Sequence, residues 1–267
     1  MRFFSFLTRL KKPKKVKLGL ALGSGGAKGF AELGALKAFE ENDIEFSCVS
    51  GTSIGSIIGA FYANGYSSTD MVEIIKRLDF GEILSAFMLN MDTSGLYRVI
   101  ERNLGELNIE DLKKPFMTVA TNVETGEAKV FSSGNVSRAV CASSSMPPYF
   151  KPVVIDGKRY VDGAFCNSIP ADLVKSMGAD YIVGVDLSNY ETKTSVIERF
   201  IPTFNLKSEN PKEAGYKYSD IVLKPNLSAF KATSFREGDK MFEIGYREAI
   251  ENIPKIKNDL ERIKKGK

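Results

Sequence analysis

Histidine is absent from all 267 residues. Without an imidazole, neither a Ser-His-Asp nor a Cys-His catalytic centre can be assembled, and no His-ligated metal site can form. The commonest general base is excluded with it, so proton transfer falls to carboxylates, lysines, tyrosines or cysteines. Tryptophan is absent as well. Cysteine is scarce: Cys48, Cys141 and Cys166 stand far apart. An odd, scattered set argues against a secreted disulfide framework and predicts a reduced, cytoplasmic setting. Long apolar runs are missing too. Residues 46–69 carry no charge but include Ser47, Ser50, Gly51, Thr52, Ser53, Gly55, Ser56 and Gly59. Such a stretch is too polar for a membrane span of about 20 apolar residues, and it reads as a buried turn.

What remains is a globular composition, 43% hydrophobic and 26% charged. A chain of this length can bury roughly three quarters of its unfolded surface. It needs neither metal nor disulfide for stability, and no cofactor is expected. The formal charge of +4 is uneven. Residues 1–17 hold seven basic side chains and no acidic one, leaving 30 basic against 33 acidic in the body, net −3. The basic character therefore belongs to a tail rather than to a nucleic-acid-binding face. That tail, delimited as residues 1–15, also carries Phe3, Phe4, Phe6, Leu7 and Leu10. It fits either a solvated leader or an interfacial anchor through residues 1–17 at the inner membrane surface, where each Lys or Arg contributes about 1 kcal/mol on an anionic bilayer.

Residues 16–267 read as a single domain. Val16–Leu22 is an apolar strand ended by the glycine-rich run 23–29, and Phe30–Glu41 has helical spacing. Phe46–Ser50 is a second strand, followed by a helix reaching Ala63. That order implies a parallel sheet with right-handed crossovers. Helices follow near 68–78 and 95–104. Two hairpins follow, 116–122 with 127–132 and 153–161 turned at Asp156-Gly157, then a helix near 170–177 and a strand at 180–186. Residues 188–219 look loop-like with one short helix, 221–223 is a last strand, and a C-terminal helix from about Arg236 is expected to break at Pro254. The fold class is α/β, with three layers, α/β/α, around a mainly parallel sheet.

Gly51-Thr52-Ser53-Ile54-Gly55 fits the nucleophile-elbow pattern G-x-S-x-G. A serine hydroxyl reacts only when exposed on a tight strand-to-helix turn beside a base and near N–H donors, and small neighbours let strand and helix pass around it. A plain Gly/Ser turn would look the same over five letters. The run 23–29 completes neither nucleotide pattern: Lys28 stands where a dinucleotide fingerprint needs its third glycine, and Gly29 stands where a P-loop needs Ser or Thr. It does suit an oxyanion cradle of backbone amides, with Lys28 either assisting as a cation or facing solvent. With histidine missing, Ser53 needs a carboxylate base. Asp162, closing a hairpin strand before small residues, is the first candidate, and Asp186, ending the 180–186 strand, is its rival. Asp156 reads as turn chemistry.

In this order the glycine loop, G-T-S-I-G, the A-S-S-S-M-P-P segment at 142–148 and Asp162-Gly163-Ala164 resemble the bacterial patatin-like phospholipases. The likeness covers roughly 16–190. It implies a patatin-like fold and a serine acyl hydrolase working with a Ser–Asp dyad on a lipid or acyl-ester substrate. Matched by motif, Ser53 is the nucleophile, Asp162 the base, and Gly25, Gly26 and Ala27 the oxyanion loop. Lys28 replaces a frequent Arg, and Ala164 a frequent glycine. Two other classes stand beside it: a noncatalytic lipid- or protein-binding scaffold, and a nucleotide-dependent oxidoreductase. The last is weakened because no tyrosine has a lysine four places on.

Overall fold

The computed structural model describes residues 16–77, 92–188 and 210–266. The expected tail, 1–15, lies outside the described residues. The first strand, β1 (Leu18–Leu22), is wholly buried. Its alternation sends Leu18, Leu20 and Leu22 to one face of the sheet and Ala21 to the other. After the loop come α1 (Phe30–Glu40), β2 (Cys48–Gly51), α2 (Ile54–Ala63) and α3 (Ser68–Arg77). Then follow α4 (Ser94–Leu104), β3 (Phe116–Asn122), β4 (Ala128–Phe131), α5 (Val136–Ser143), β5 (Val153–Ile155) and β6 (Lys158–Asp162). The rest comprises α6 (Ala171–Ser176), β7 (Tyr181–Val185), α7 (Glu213–Tyr218), β8 (Ile221–Leu223) and α8 (Gly238–Lys264).

The strands run β5-β6-β3-β2-β1-β7-β8, with β4 also on β3. Pairing is parallel from β3 through β2, β1 and β7 to β8, and antiparallel where β3 meets β4 and β6 and where β5 meets β6. Helices cover both faces. The larger core holds side chains of α1, α2, α5 and α8, and the smaller one gathers Ile169, Ala171 and Val174 around α6.

The antiparallel extension decides where the strand ends fall. Backbone groups along a strand face its two edges alternately. Val49 N donates to Pro115 O and Val123 N donates to Arg159 O, whereas Asn122 N donates to Glu127 O in the β3–β4 turn. Odd-numbered positions along 115–123 thus face β2 and β6 alike, and β4 takes the other edge. So β2 and β6 lie end to end on one edge of β3, arriving from opposite directions. Gly51 stands opposite Thr118 and Asp162 opposite Ala120, two residues or about 7 Å apart along the strand.

One expectation needs correction, and one helix was not anticipated. The C-terminal helix does not break at Pro254 but runs through it. The missing N–H frees the carbonyl of Ile250, a residue on the exposed side of the helix, where water can take its place. And Val136–Ser143 is helical although its Val, Ser and Cys content gives little propensity. Asn135 caps it, Oδ1 accepting from Arg138 N at 2.8 Å, and burial of Val136, Ala139 and Val140 holds it down. Asp156-Gly157 does turn the β5–β6 hairpin, both residues at positive φ. The C-terminal helix packs tightly along α1, with a Cβ on Gly34 falling only 1.9 Å from Phe242 O. Among the described residues no helix is long and apolar enough to cross a membrane.

Candidate active site

The chain leaves β2 at Gly51 and enters α2 at Ile54, and Ser53 makes the corner with φ 56° and ψ −123°. A non-glycine residue held there costs on the order of 1–3 kcal/mol and persists only when its surroundings over-determine it. Here they do. Ser53 N donates to Ser143 Oγ at 3.0 Å, Ser56 Oγ donates to Ser53 O at 2.6 Å, and Thr52 Oγ1 donates to Asn167 O at 2.8 Å. The flanking glycines are steric requirements: a Cβ on Gly51 would sit 2.0 Å from Gly55 O, and one on Gly55 2.6 Å from Leu22 O.

The end-to-end strands bring Asp162 to this corner. Ser53 Oγ donates to Asp162 Oδ2 at 2.7 Å, and Ala164 N donates to Oδ1 at 2.8 Å, so the carboxylate also caps the short helical turn Gly163–Phe165. Asp162 N donates to Ser145 O, and Thr121 Oγ1 donates to Asp162 O. The side chain is fully buried, and among the described residues no cation sits beside it. Burial pushes its pKa up to about 7, against the lowering effect of the Ser53 hydroxyl and the Ala164 amide. Near neutrality the carboxyl can either hold or release a proton.

Asp186 is built for another task. Its Oδ1 accepts from Ser188 N and Ser188 Oγ, and its Oδ2 from Tyr216 OH at 2.7 Å and Lys212 Nζ at 3.3 Å. Burial works to raise its pKa, yet the Ser188 and Tyr216 hydrogen bonds and the Lys212 charge together hold it below the ordinary carboxylate value. It makes no hydrogen bond to Ser53. The structure brings Asp162, not its rival, to the serine.

The glycine loop leaves β1 and passes over α2, where a Cβ on Gly29 would strike Ile54. It differs from the expected row of free amides. Ala27 N donates to Ala232 O at 2.7 Å, and Lys28 N donates to Gly25 O at 3.2 Å. Both amides are engaged within the protein, whereas the N–H groups of Gly25 and Gly26 have no protein acceptor among the described residues. Sequence reading missed a third such donor, Ile54, whose amide opens α2 with no intrahelical acceptor. Its place immediately after the serine was the available signal. Lys28 does not face solvent: its side chain is buried, desolvation lowers its pKa, and Asp186 opposes that shift. Among the described residues no cluster of three acidic or cysteine side chains could hold a metal ion.

Residues 20–175 match a family described as Patatin-like phospholipase. Patatin-like phospholipase domain-containing protein 6 of Mus musculus is 29% identical over 275 residues, covering 86% of this chain and 20% of that one. Lysophospholipase nte1 of Aspergillus niger is 28% identical over 281 residues, covering 91% of this chain and 18% of that protein. The chain thus spans about a fifth of the length of these relatives. Among solved structures, VipD from Legionella pneumophila shares the fold with a TM-score of 0.54 at 13% identity, over 89% of this chain and 66% of that one.

Proposed function

Because the chain belongs to the patatin-like phospholipase family, we propose that it hydrolyses a lipid acyl ester with Ser53 as nucleophile and Asp162 as its base. Ser53 Oγ attacks the ester carbonyl carbon as its proton passes to Asp162 Oδ2. The carbonyl oxygen takes up the negative charge before the amides of Gly25, Gly26 and Ile54. Each such donor is worth roughly 10²–10³ in rate. The C–O bond to the leaving group then breaks, and the departing alkoxide takes the proton from Asp162. Water, deprotonated in turn by Asp162, attacks the acyl-serine to release the fatty acid and restore the hydroxyl.

The observation carrying this reading is the 2.7 Å contact between a strained serine and a buried carboxyl of raised pKa. A structural Asp-Gly turn requires neither the burial nor the serine. Relatives named as a phospholipase-domain protein and a lysophospholipase support a phospholipid or lysophospholipid as the substrate proposed for this chain. Incubation with a fluorophosphonate probe, followed by peptide mapping, is expected to find the adduct on Ser53. Failure of the folded protein to label would favour the noncatalytic scaffold.

The basic residues of segment 1–17 supply the matching attachment to an anionic lipid surface. The full chain is expected to co-sediment with phosphatidylserine vesicles at low salt, and deletion of residues 1–15 to release it. Equal sedimentation of both forms would remove the tail from this role.

A further inference from the structure

Glu32 is a carboxyl with no part in the reaction above. It stands in the first turn of α1 with 0% exposure, and its Oε1 accepts the Gly23 N–H at 2.7 Å. The second oxygen, Oε2, has no hydrogen-bond partner. No cation sits beside it among the described residues, and burial pushes its pKa well above the usual carboxylate value. A buried carboxyl with one oxygen unanswered works against stability. An apolar side chain of the same length would remove that orphaned oxygen but leave the Gly23 N–H without its acceptor.

What the carboxyl contributes is spatial. Gly23 is where β1 gives way to the glycine loop, and Glu32 lies on the helix into which that loop runs. Their bond closes the nine-position span on itself. The same root is fixed from two other sides: Ser24 N donates to Ser168 O at 3.0 Å, and Gly23 O lies 2.7 Å from where a Gly55 Cβ would project. Gly55 is two residues past the serine, so the placement of Gly23 sets how the following amides stand relative to Ser53.

We propose that Glu32 is a positioning residue that clasps the root of the glycine loop from α1 and holds the Gly25 and Gly26 amides in register with Ser53. The inference rests on the oxyanion role proposed for that loop. A misplacement of about 1 Å at such a site can cost 10²-fold in rate.

Three full-length proteins test it: wild type, Glu32→Met, which keeps length and loses the acceptor, and Glu32→Gln, which restores an acceptor. The first readout is kcat and KM on an aryl ester, and the second is amide hydrogen exchange over residues 20–30. Glu32→Met is expected to lower kcat roughly 10- to 100-fold with KM within about twofold. It should also speed exchange at Gly23, and Glu32→Gln should recover most of both. A Met variant with wild-type kcat, or a Gln variant as slow as the Met one, overturns the proposal. If wild type hydrolyses no ester, the catalytic reading fails separately. Exchange then decides the clasp alone, and equal rates in all three proteins refute it. Should Glu32→Met not fold, Glu32→Ala takes its place in the same comparison.

Discussion

Ser53→Ala is expected to lower kcat on an acyl ester by at least about 10³-fold, and Asp162→Asn by a similar factor, because a nucleophile and its base act as one unit. The double variant should be no worse than either single one. The geometry gives the reason. The only carboxylate in hydrogen-bond contact with Ser53 Oγ among the described residues is Asp162, at 2.7 Å. Asparagine preserves its shape and the Ala164 contact, so the loss reads basicity rather than collapse. The control is Asp186→Asn, which removes the charge facing Lys212 and one of the two oxygens that hold Ser188 and Tyr216, but no bond to the serine. Its loss should be far smaller. A folded Asp162→Asn protein keeping more than a tenth of wild-type kcat would end the assignment, and an equal loss in Asp186→Asn would move it.

The pH response should be nearly as large. Asp162 must be ionised to take the proton, and its pKa stands at about 7. Accordingly kcat/KM should climb tenfold per pH unit below that value and level off above it. The sign for stability is opposite. The folded pKa lies above the unfolded one, near 3.8, so between about pH 4 and pH 7 the folded state retains a proton that the unfolded state has released. Stability therefore falls as pH rises through that window, by at most on the order of 4 kcal/mol, and is flat beyond it. Asp162→Asn, neutral throughout, should melt above wild type at pH 8, with the gap closing toward pH 4. Calorimetry at both values checks this. An acid limb centred below pH 5, or equal melting temperatures at pH 8, would contradict it.

The parts of the fold written in local pattern were legible. The strand-loop-helix order of residues 16–63, the two hairpins and the 181–185 strand follow from apolar runs and turn residues. Ser53 was legible because its turn demands glycine at both flanks. What local sequence could not distinguish was Asp162 from Asp186, each an aspartate ending a buried strand. The choice is made by partners distant in sequence: Lys212 and Tyr216 claim Asp186, and Ser53 meets Asp162. The engaged amide of Ala27 was illegible for the same reason, since its acceptor, Ala232, arrives from the far end of the chain. Helix Val136–Ser143 was missed because tertiary burial, not propensity, forms it. The position of Ser143 beneath the Ser53 amide was missed with it.

The shared edge of β3 has a consequence for how this chain can change. Because β2 and β6 both dock on one strand, the gap between the two reactive side chains is gauged by that strand, as a splint sets the distance between two bone ends. Insertions in the β4 turn, the β5–β6 hairpin tip or the helices outside leave the gauge untouched. Adding or deleting a single residue between Thr118 and Ala120 would alter it at once. Tolerance to lengthening should therefore be wide over most of the surface and nearly nil within those three positions.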